Sequence, residues 1–203
     1  MTQPAQPLPA RAEPNGAEDR IVLHGVSWEG YEAILDLRGD RPGVRIFYLD
    51  GELELVATSE RHERLKKLIA RLLEAWADEQ GIGFEGIGQF TMRSERTRRG
   101  AEPDECWAVG HTRPHPDLVI EVALRAGGID KLEIYRGLGV REVWLWESGA
   151  LHLFALRDEG YERIARSEVL PDLDLALLTS FLGEESQTRA VRAFRAALRG
   201  PSG

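Results

Sequence analysis

The segment from Ser59 to Gln80 carries one apolar stripe at helical spacing, and it constrains the fold more than any other part of the chain. Ser59 is a suitable N-cap and Gly81 a suitable helix end. Arginine and lysine side chains fall on the opposite side of the helix. The stripe itself recurs every three to four positions, at Leu65, Leu68, Ile69, Leu72, Leu73, Trp76 and Ala77. Such a helix must bury its stripe against another layer, which predicts a helix packed on a β-sheet.

Runs typical of strands lie on both sides of this helix. VRIFYL and ELELVA are joined by Asp50-Gly51, and REVWLWE and ALHLFAL meet at Ser148-Gly149, so two hairpins are predicted. Further strands are expected near 84–92, 104–109, 117–122 and 161–165, and further helices near 27–37, 129–138 and in two closing segments. This order predicts an α/β fold of mixed α+β character, with a central mixed β-sheet flanked by helices.

Composition indicates one folded domain within the chain. The 203 residues are 42% apolar, which suffices for one hydrophobic core. Residues 1–20 are rich in Pro, Ala and charge and are expected to form a disordered tail, followed by the folded domain at 21–183 and a C-terminal helix and tail at 184–203. No stretch approaches the roughly 20 apolar residues of a membrane span, and no signal peptide is recognisable, so a cytoplasmic location is predicted. Cys106, the single cysteine, is expected to be a free, partly buried thiol.

A carboxylate lies inside a strand that otherwise has core composition. In PDLVIEV, alternation places Asp117, Val119 and Glu121 on one face. A buried, unpaired carboxylate costs several kcal/mol, so Glu121 should hold a cation, meet a basic side chain or lie at an open sheet end. Asp117 would lie roughly 13 Å from Glu121, too far to share an ion with it. Asp104 is the better partner, because neighbouring strands lie about 4.8 Å apart and two carboxylates at that separation can hold one Mg²⁺.

Lys131 begins the helix that follows the Glu121 strand. From there its ammonium could reach the open end of the strand and align an attacking water or stabilise developing phosphate charge. The simpler alternative is that the two acids and this lysine are solvated surface groups. The net charge of −8 weighs against a nuclease, since phosphate binding depends on Lys and Arg. Two basic segments could compensate or could be solvated surface: Arg93, Arg96, Arg98 and Arg99 in a loop, and Arg189, Arg192, Arg195 and Arg199 on a helix.

These residues resemble a known family. Pro103-Asp104, PDLVIEV and DKLEIYRGLGVREVW, together with SERHERLKKLIARLL and DGELELVA, are similar to the Uma-two family of bacterial endonucleases in the PD-(D/E)XK, restriction endonuclease-like superfamily. The resemblance covers about residues 27–182, and the order and spacing of its motifs are more specific than any one motif. It implies a Mg²⁺- or Mn²⁺-dependent hydrolase of DNA phosphodiester bonds that works as a homodimer.

The resemblance also implies which residues form the site. Asp104, Glu121 and Lys131 would be catalytic, and the metal ligands would be Asp104, Glu121 and the carbonyl of Val122. The superfamily lysine two residues after the glutamate is absent, because Ala123 stands there. Lys131 matches the lysine of the Uma-two pattern instead. Two further positions match residues of the family or superfamily on the long helix, His62 and Glu63; for His62 a capping or core role is an equal alternative.

Two competing functions remain open in the sequence. The first is a catalytically inactive nuclease fold that serves as a binding or assembly module, favoured by the net charge and by Ala123. The second is a zinc-dependent hydrolase using His111 and His115, although an ordinary loop is favoured there. Trp144 and Trp146 share a strand face and are expected to pack in the core or a subunit contact, since nucleic-acid stacking needs exposure.

Overall fold

The structure is a computed structural model that describes residues 19–41, 43–88, 90–110, 115–124 and 127–200. The helices are α1 (Trp28–Arg38), α2 (Glu60–Gln80), α3 (Lys131–Leu138), α4 (Leu175–Ser180) and α5 (Gln187–Arg199). The strands are β1 (Asp19–His24), β2 (Val44–Leu49), β3 (Glu52–Ala57), β4 (Phe84–Gly86), β5 (Met92–Ser94), β6 (Arg99–Ala101), β7 (Glu105–Val109), β8 (Leu118–Ala123), β9 (Glu142–Glu147), β10 (Ala150–Leu156) and β11 (Tyr161–Ile164). The predicted α/β class is confirmed.

The strands form two sheets. The five-stranded sheet has the order β1-β3-β2-β6-β5 and is antiparallel throughout. Its central hairpin turns at Asp50 and Gly51, whose φ angles of 41° and 99° suit the turn predicted from the sequence. The six-stranded sheet has the order β11-β10-β9-β8-β7-β4, and β8 and β9 are its parallel pair. This is the predicted mixed sheet, and α3 is the crossover that a parallel pair requires.

Three apolar cores hold the layers together. The largest lies on one face of the six-stranded sheet, where α2 covers Leu118, Ile120 and Val122 of β8 and α5 packs on α2. The stripe of α2 is buried there, as predicted. The second core joins the opposite face of β8 and β9 to Phe47, Val56 and α3, so it lies between the two sheets. The third packs α1 on the outer side of the five-stranded sheet.

The strands predicted from the sequence need correction at three places. The single strand expected near 84–92 is two short strands, β4 and β5, in different sheets, because the chain turns near Gly88 (φ 71°) and crosses over. The arginine-rich loop before Asp104 is partly a hairpin, since β6 pairs with both β5 and β2. Finally, β1 begins at Asp19, inside the segment assigned to the tail, where Arg20 pairs with Val56.

The remaining part of the predicted tail, residues 1–18, lies outside the described residues, and the division of the chain into tail, domain and C-terminal helix stays a prediction. Within the described ranges, none of the helices has the length and apolar character needed to cross a membrane.

Candidate active site

Asp104 and Glu121 face each other across neighbouring strands. The antiparallel register of β7 and β8 pairs Glu105 with Ile120, and one more step along the two strands places Asp104 opposite Glu121. Asp104 is the residue just before β7 rather than part of the strand. Both carboxylates are almost fully buried, at 1% exposure each. The backbone N–H of Val122 donates to Asp104 Oδ2 at 2.8 Å, which fixes the rotation of that carboxylate.

A buried arginine that the sequence analysis did not consider joins the two acids. Arg45 Nη1 lies 2.7 Å from Asp104 Oδ1 and 3.3 Å from Glu121 Oε2. Arg45 is on β2, where alternation places it on the same face as Phe47, toward the core between the sheets. Burial by itself would raise the pKa of Asp104, but Arg45 and His62 hold this pKa below its usual value. The two carboxylates therefore converge on one positive charge.

Lys131 and Tyr135, both on α3, complete the surroundings of Glu121. Lys131 Nζ lies 2.6 Å from Glu121 Oε2, and the Tyr135 hydroxyl donates to Glu121 Oε1. Asp130 caps the helix by accepting from the N–H of Glu133, so Lys131 occupies the first turn. Burial, followed by the negative charge of Glu121, raises the pKa of Tyr135 well above its usual value. Tyr135 is therefore a neutral hydrogen-bond donor to the carboxylate.

His62, at the start of α2, binds the other side of Asp104. Its Nε2 lies 3.1 Å from Asp104 Oδ2, and its Nδ1 lies 3.2 Å from Glu63 Oε1. Burial lowers the pKa of His62, but the hydrogen bonds to Asp104 and Glu63 outweigh burial and raise it to about 9. His62, Glu63 and Asp104 each offer a ligand atom, and these atoms lie within 4.8 Å of one another. Among the described residues, these are the three side chains whose ligand atoms lie close enough together to hold one metal ion.

A third buried acid lies near this centre. Glu54 on β3 pairs with Phe47 across the hairpin and is fully buried. Burial raises the pKa of Glu54, and the nearby guanidinium of Arg20, whose Nε is 2.8 Å from Glu54 Oε1, opposes the rise. Arg20 also donates to the carbonyl of Gly127. The strand β1 thus brings a cation to the edge of the site.

These charged groups border a small cavity of 160 Å³, here called the Lys131 cavity. Its walls include two cations, Arg20 and Lys131, and three acids, Glu121, Asp130 and Glu147. Glu121 is nearly buried, yet it lines this space together with an ammonium and a guanidinium. Both cations are paired with acids of the chain, so the cavity carries no surplus of positive charge.

Comparison with known proteins gives the family. The sequence model of the Uma2 family, described as "Putative restriction endonuclease", matches residues 28–191. The chain belongs to the Uma2 family. None of the curated proteins compared with the chain matches it. Membership confirms the resemblance and the restriction endonuclease-like fold, and it indicates a nuclease, hence a hydrolase, with nucleic acid as its substrate.

Several residues considered in the sequence analysis lie away from the candidate site. Asp117 accepts from the N–H of Val109 and pairs with Arg141, so it does not join Glu121, as expected from spacing. Cys106 is a buried thiol that donates to the carbonyl of Gly88, and burial raises its pKa to about 12. His115 is exposed, and His111 lies outside the described residues.

The two basic segments are largely neutralised by acids of the same chain. In the first, Arg93, Arg98 and Arg99 pair with Glu32, Asp50 and Glu133 respectively. On α5, ion pairs to acids of α2 or of the preceding loop hold Arg189, Arg195 and Arg199. Neither segment therefore offers the surplus positive charge that a phosphate clamp needs.

Sequence reasoning missed Arg45, Tyr135, Glu54 and Arg20 at the site. Arg45 and Glu54 each interrupt an apolar strand at a position facing the core, which is the same signal that marked Glu121. That signal could have found both. Arg20 could not have been found in this way, because residues 1–20 were assigned to the tail and no strand was predicted there.

The raised pKa of His62 gives a testable pH dependence. An unfolded histidine has a pKa near 6.5, and the folded value of about 9 is higher, so folding favours the protonated ring. The resulting stabilisation is fully present below about pH 6.5 and is lost as the pH rises through about 9. We expect the metal-free chain to lose on the order of 3 kcal/mol of unfolding free energy across this window.

Urea unfolding in EDTA at pH 6, 7.5 and 9 measures this loss. A His62→Gln variant, which lacks the titrating ring, should show a much flatter profile over the same interval. Equal pH profiles for the two proteins would contradict the assignment of the proton to His62.

Proposed function

We propose that this Uma2 protein is a metal-dependent endonuclease that hydrolyses phosphodiester bonds of DNA, with Asp104, Glu121 and Lys131 at its catalytic centre. One observation carries the proposal. Two buried carboxylates, one just before β7 and one on β8, point at one cationic nitrogen, at 2.7 and 3.3 Å, and an ammonium lies 2.6 Å from the second carboxylate. Family membership supports nucleic acid as the substrate.

The chemistry of the donor set fits a hard divalent cation. Mg²⁺ and Mn²⁺ prefer carboxylate and carbonyl oxygens, and Asp104 and Glu121 supply two such groups at a point that already carries positive charge. Asp104 Oδ1 is paired with Arg45 Nη1 at 2.7 Å, so this oxygen would become available for a ligand bond once Arg45 withdraws. We propose these two carboxylates and the Val122 carbonyl as the ligands, with Arg45 withdrawn. When bound, the ion would polarise the scissile phosphate and lower the pKa of the attacking water.

The other side chains would position the reacting groups. The Lys131 ammonium, held by Glu121 at the wall of the Lys131 cavity, would align the attacking water or stabilise the charge that develops on the phosphate oxygens. Tyr135 would hold the second oxygen of Glu121 in place, and His62 would do the same for Asp104. Both acids are thus oriented by donors on helices, which fixes the geometry in advance of binding.

We propose separately, from the superfamily resemblance, that the protein forms a homodimer. The two symmetric sites of such a dimer would each cut one strand of the DNA. Light scattering tests it directly, with a mass near twice 22.7 kDa as the supporting result. The cleavage chemistry at one site does not depend on it.

Metal dependence is the first test of the nuclease assignment. We expect titration calorimetry to detect Mn²⁺ or Mg²⁺ binding, and we expect nicking of supercoiled plasmid DNA to require either ion and to stop in EDTA. Retention of zinc through purification, with cleavage that added Mg²⁺ does not increase, would contradict the assignment of the metal.

The alternative is an inactive nuclease fold that binds nucleic acid without cutting it. Arg45 favours this alternative, because its guanidinium already neutralises Asp104 and Glu121 without an ion. Under this alternative, calorimetry shows no divalent ion bound at neutral pH, and plasmid stays intact while a bound complex still forms.

A further inference from the structure

A second concave surface lies beside the proposed catalytic centre. This cavity of 510 Å³, here called the Trp146 groove, is lined by Arg61, Arg64 and Trp146, with leucines of α2 forming part of its wall. Ala123 lines both the Trp146 groove and the Lys131 cavity. The two spaces therefore adjoin at the carboxyl end of β8, on opposite faces of the strand.

The charge of the Trp146 groove is opposite to that of the whole protein. The chain has a net charge of −8, yet no acidic side chain of the described ranges lines this cavity, and two arginines do. Arg61 is exposed, and within the described chain no ion pair holds it. Arg64 donates to the backbone carbonyls of Glu184 and Glu185, which hold its guanidinium at the groove without cancelling its charge. Both arginines remain available to a phosphate.

Trp146 gives the groove an aromatic wall. The alternation of β9 predicts that both tryptophans pack in the core or in a subunit contact, and Trp144 is fully buried, with its Nε1–H donating to Glu142. Trp146 is only partly buried. It pairs with Val122 in the parallel register, so it lies one residue beyond Glu121 along β8. It also lines a further cavity of 680 Å³ that contains Arg163, which extends the basic and aromatic surface toward α4.

An aromatic wall with arginines on its rim suits an unpaired nucleotide. In a duplex the faces of the bases are covered by stacking, so a side chain inside a concave pocket can stack only on a base that is unpaired. Arginines beside the ring then contact the flanking phosphates, which supply affinity independent of sequence. The partly buried apolar side chain of Leu65 offers further surface to the base and sugar.

We propose that single-stranded nucleic acid is the substrate class of this site, with one base stacked on Trp146 and its phosphates on Arg61 and Arg64. This inference rests on the proposed nuclease function for its choice of ligand. The neighbouring phosphate then lies over the shared Ala123 wall, toward Lys131 and Glu121. Trp146 and Arg61 act as specificity residues that bind substrate without taking part in the bond-breaking step.

Binding is measured without metal, so that it does not depend on cleavage. The anisotropy of a fluorescently labelled oligo(dT) and of a matched duplex is followed with the full chain in EDTA, at several salt concentrations from about 50 to 200 mM. We expect the single strand to bind more tightly than the duplex. Trp146→Ala should weaken single-strand binding roughly tenfold or more, as expected for the loss of one stacked base, whereas Trp146→Phe should retain most of it.

A surface variant keeps the test valid should Trp146→Ala fold poorly. Arg61→Ala removes an exposed side chain, and it should reduce the slope of log Kd against log salt by about 0.7, the value for one phosphate contact on a single strand. Arg192→Ala is the matched control, because Arg192 is also an exposed helical arginine but lies on α5. It should change neither the affinity nor the slope.

The proposal is overturned by any of four results: equal affinity for duplex and single strand, no oligonucleotide binding, unchanged binding by a folded Trp146→Ala variant, or an unchanged salt slope for Arg61→Ala. A dimer that Trp146→Ala dissolves, without binding of DNA, would assign the groove to a second copy of the chain and would also overturn it. A chain that binds single strands but never cleaves refutes the nuclease proposal alone. A chain that cleaves with the groove variants unaffected refutes the groove alone.

Discussion

Replacing Glu121 by glutamine is expected to lower metal-dependent DNA cleavage by at least about a hundredfold, because a divalent ion supplies several kcal/mol of transition-state stabilisation and each 1.36 kcal/mol is a factor of ten. Asp104→Asn should have an effect of the same size. Both substitutions keep the size of the side chain but remove its negative charge. The partners Arg45, Lys131 and His62 therefore keep a hydrogen-bond acceptor and lose the opposite charge that they faced. Initial rates on plasmid DNA with saturating Mg²⁺ measure the effect.

Asp117→Asn is the matched control for these two variants. Asp117 is as buried as they are and lies just before the same strand, but its partners are Arg141 and the N–H of Val109. The control should lose some stability and keep its cleavage rate per folded molecule. If Glu121→Gln and Asp104→Asn cut DNA at the rate of the parent, the proposed catalytic centre is wrong.

Replacing Arg45 by methionine is expected to destabilise the metal-free chain by about 3–5 kcal/mol. The substitution leaves Asp104 and Glu121 buried without their shared cation, and removing one partner of a buried ion pair has a cost of this size. Mg²⁺ should restore much of the loss in this variant, since an ion at about a hundred times its dissociation constant adds about 2.7 kcal/mol. Thermal unfolding with and without Mg²⁺ measures both effects.

Arg38→Met serves as the control for that rescue. Arg38 forms a comparable ion pair with the buried Glu102 elsewhere in the fold, so its loss should also destabilise the chain. Mg²⁺ should raise the stability of Arg38→Met no more than it raises that of the parent. A rescue of equal size in both variants would show a general effect of salt and would argue against a metal position between Asp104 and Glu121.

Much of the fold could be predicted because local signals were strong. The cap at Ser59, the stripe of α2 and the hairpins at Asp50-Gly51 and Ser148-Gly149 each depend on neighbouring residues, and each is present in the structure. The division into two sheets was not predictable in this way. It depends on which strands pair over long sequence separations, and three-residue strands such as β4 and β6 are too short to show periodicity.

The candidate site shows a similar limit. The register of β7 and β8 follows from strand spacing, so the juxtaposition of Asp104 and Glu121 could be anticipated. The guanidinium between them comes from Arg45, far earlier in the chain and on the other sheet, and no spacing argument within a motif reaches it. The partial exposure of Trp146 could not be predicted either. A pattern of alternation shows which face of a strand a side chain occupies, but it does not show how far the neighbouring layer covers that side chain.

The parallel pairing of β8 and β9 has a consequence for the residue at position 123. Two parallel neighbouring strands need a crossover connection, which here contains α3. The first residue of α3 is Lys131, whose ammonium donates to Glu121 although it is not carried by β8. The amine therefore does not have to be carried by the strand itself, and position 123 can be alanine. A methyl group there lines both the Lys131 cavity and the Trp146 groove, so no long side chain separates the two spaces at that position.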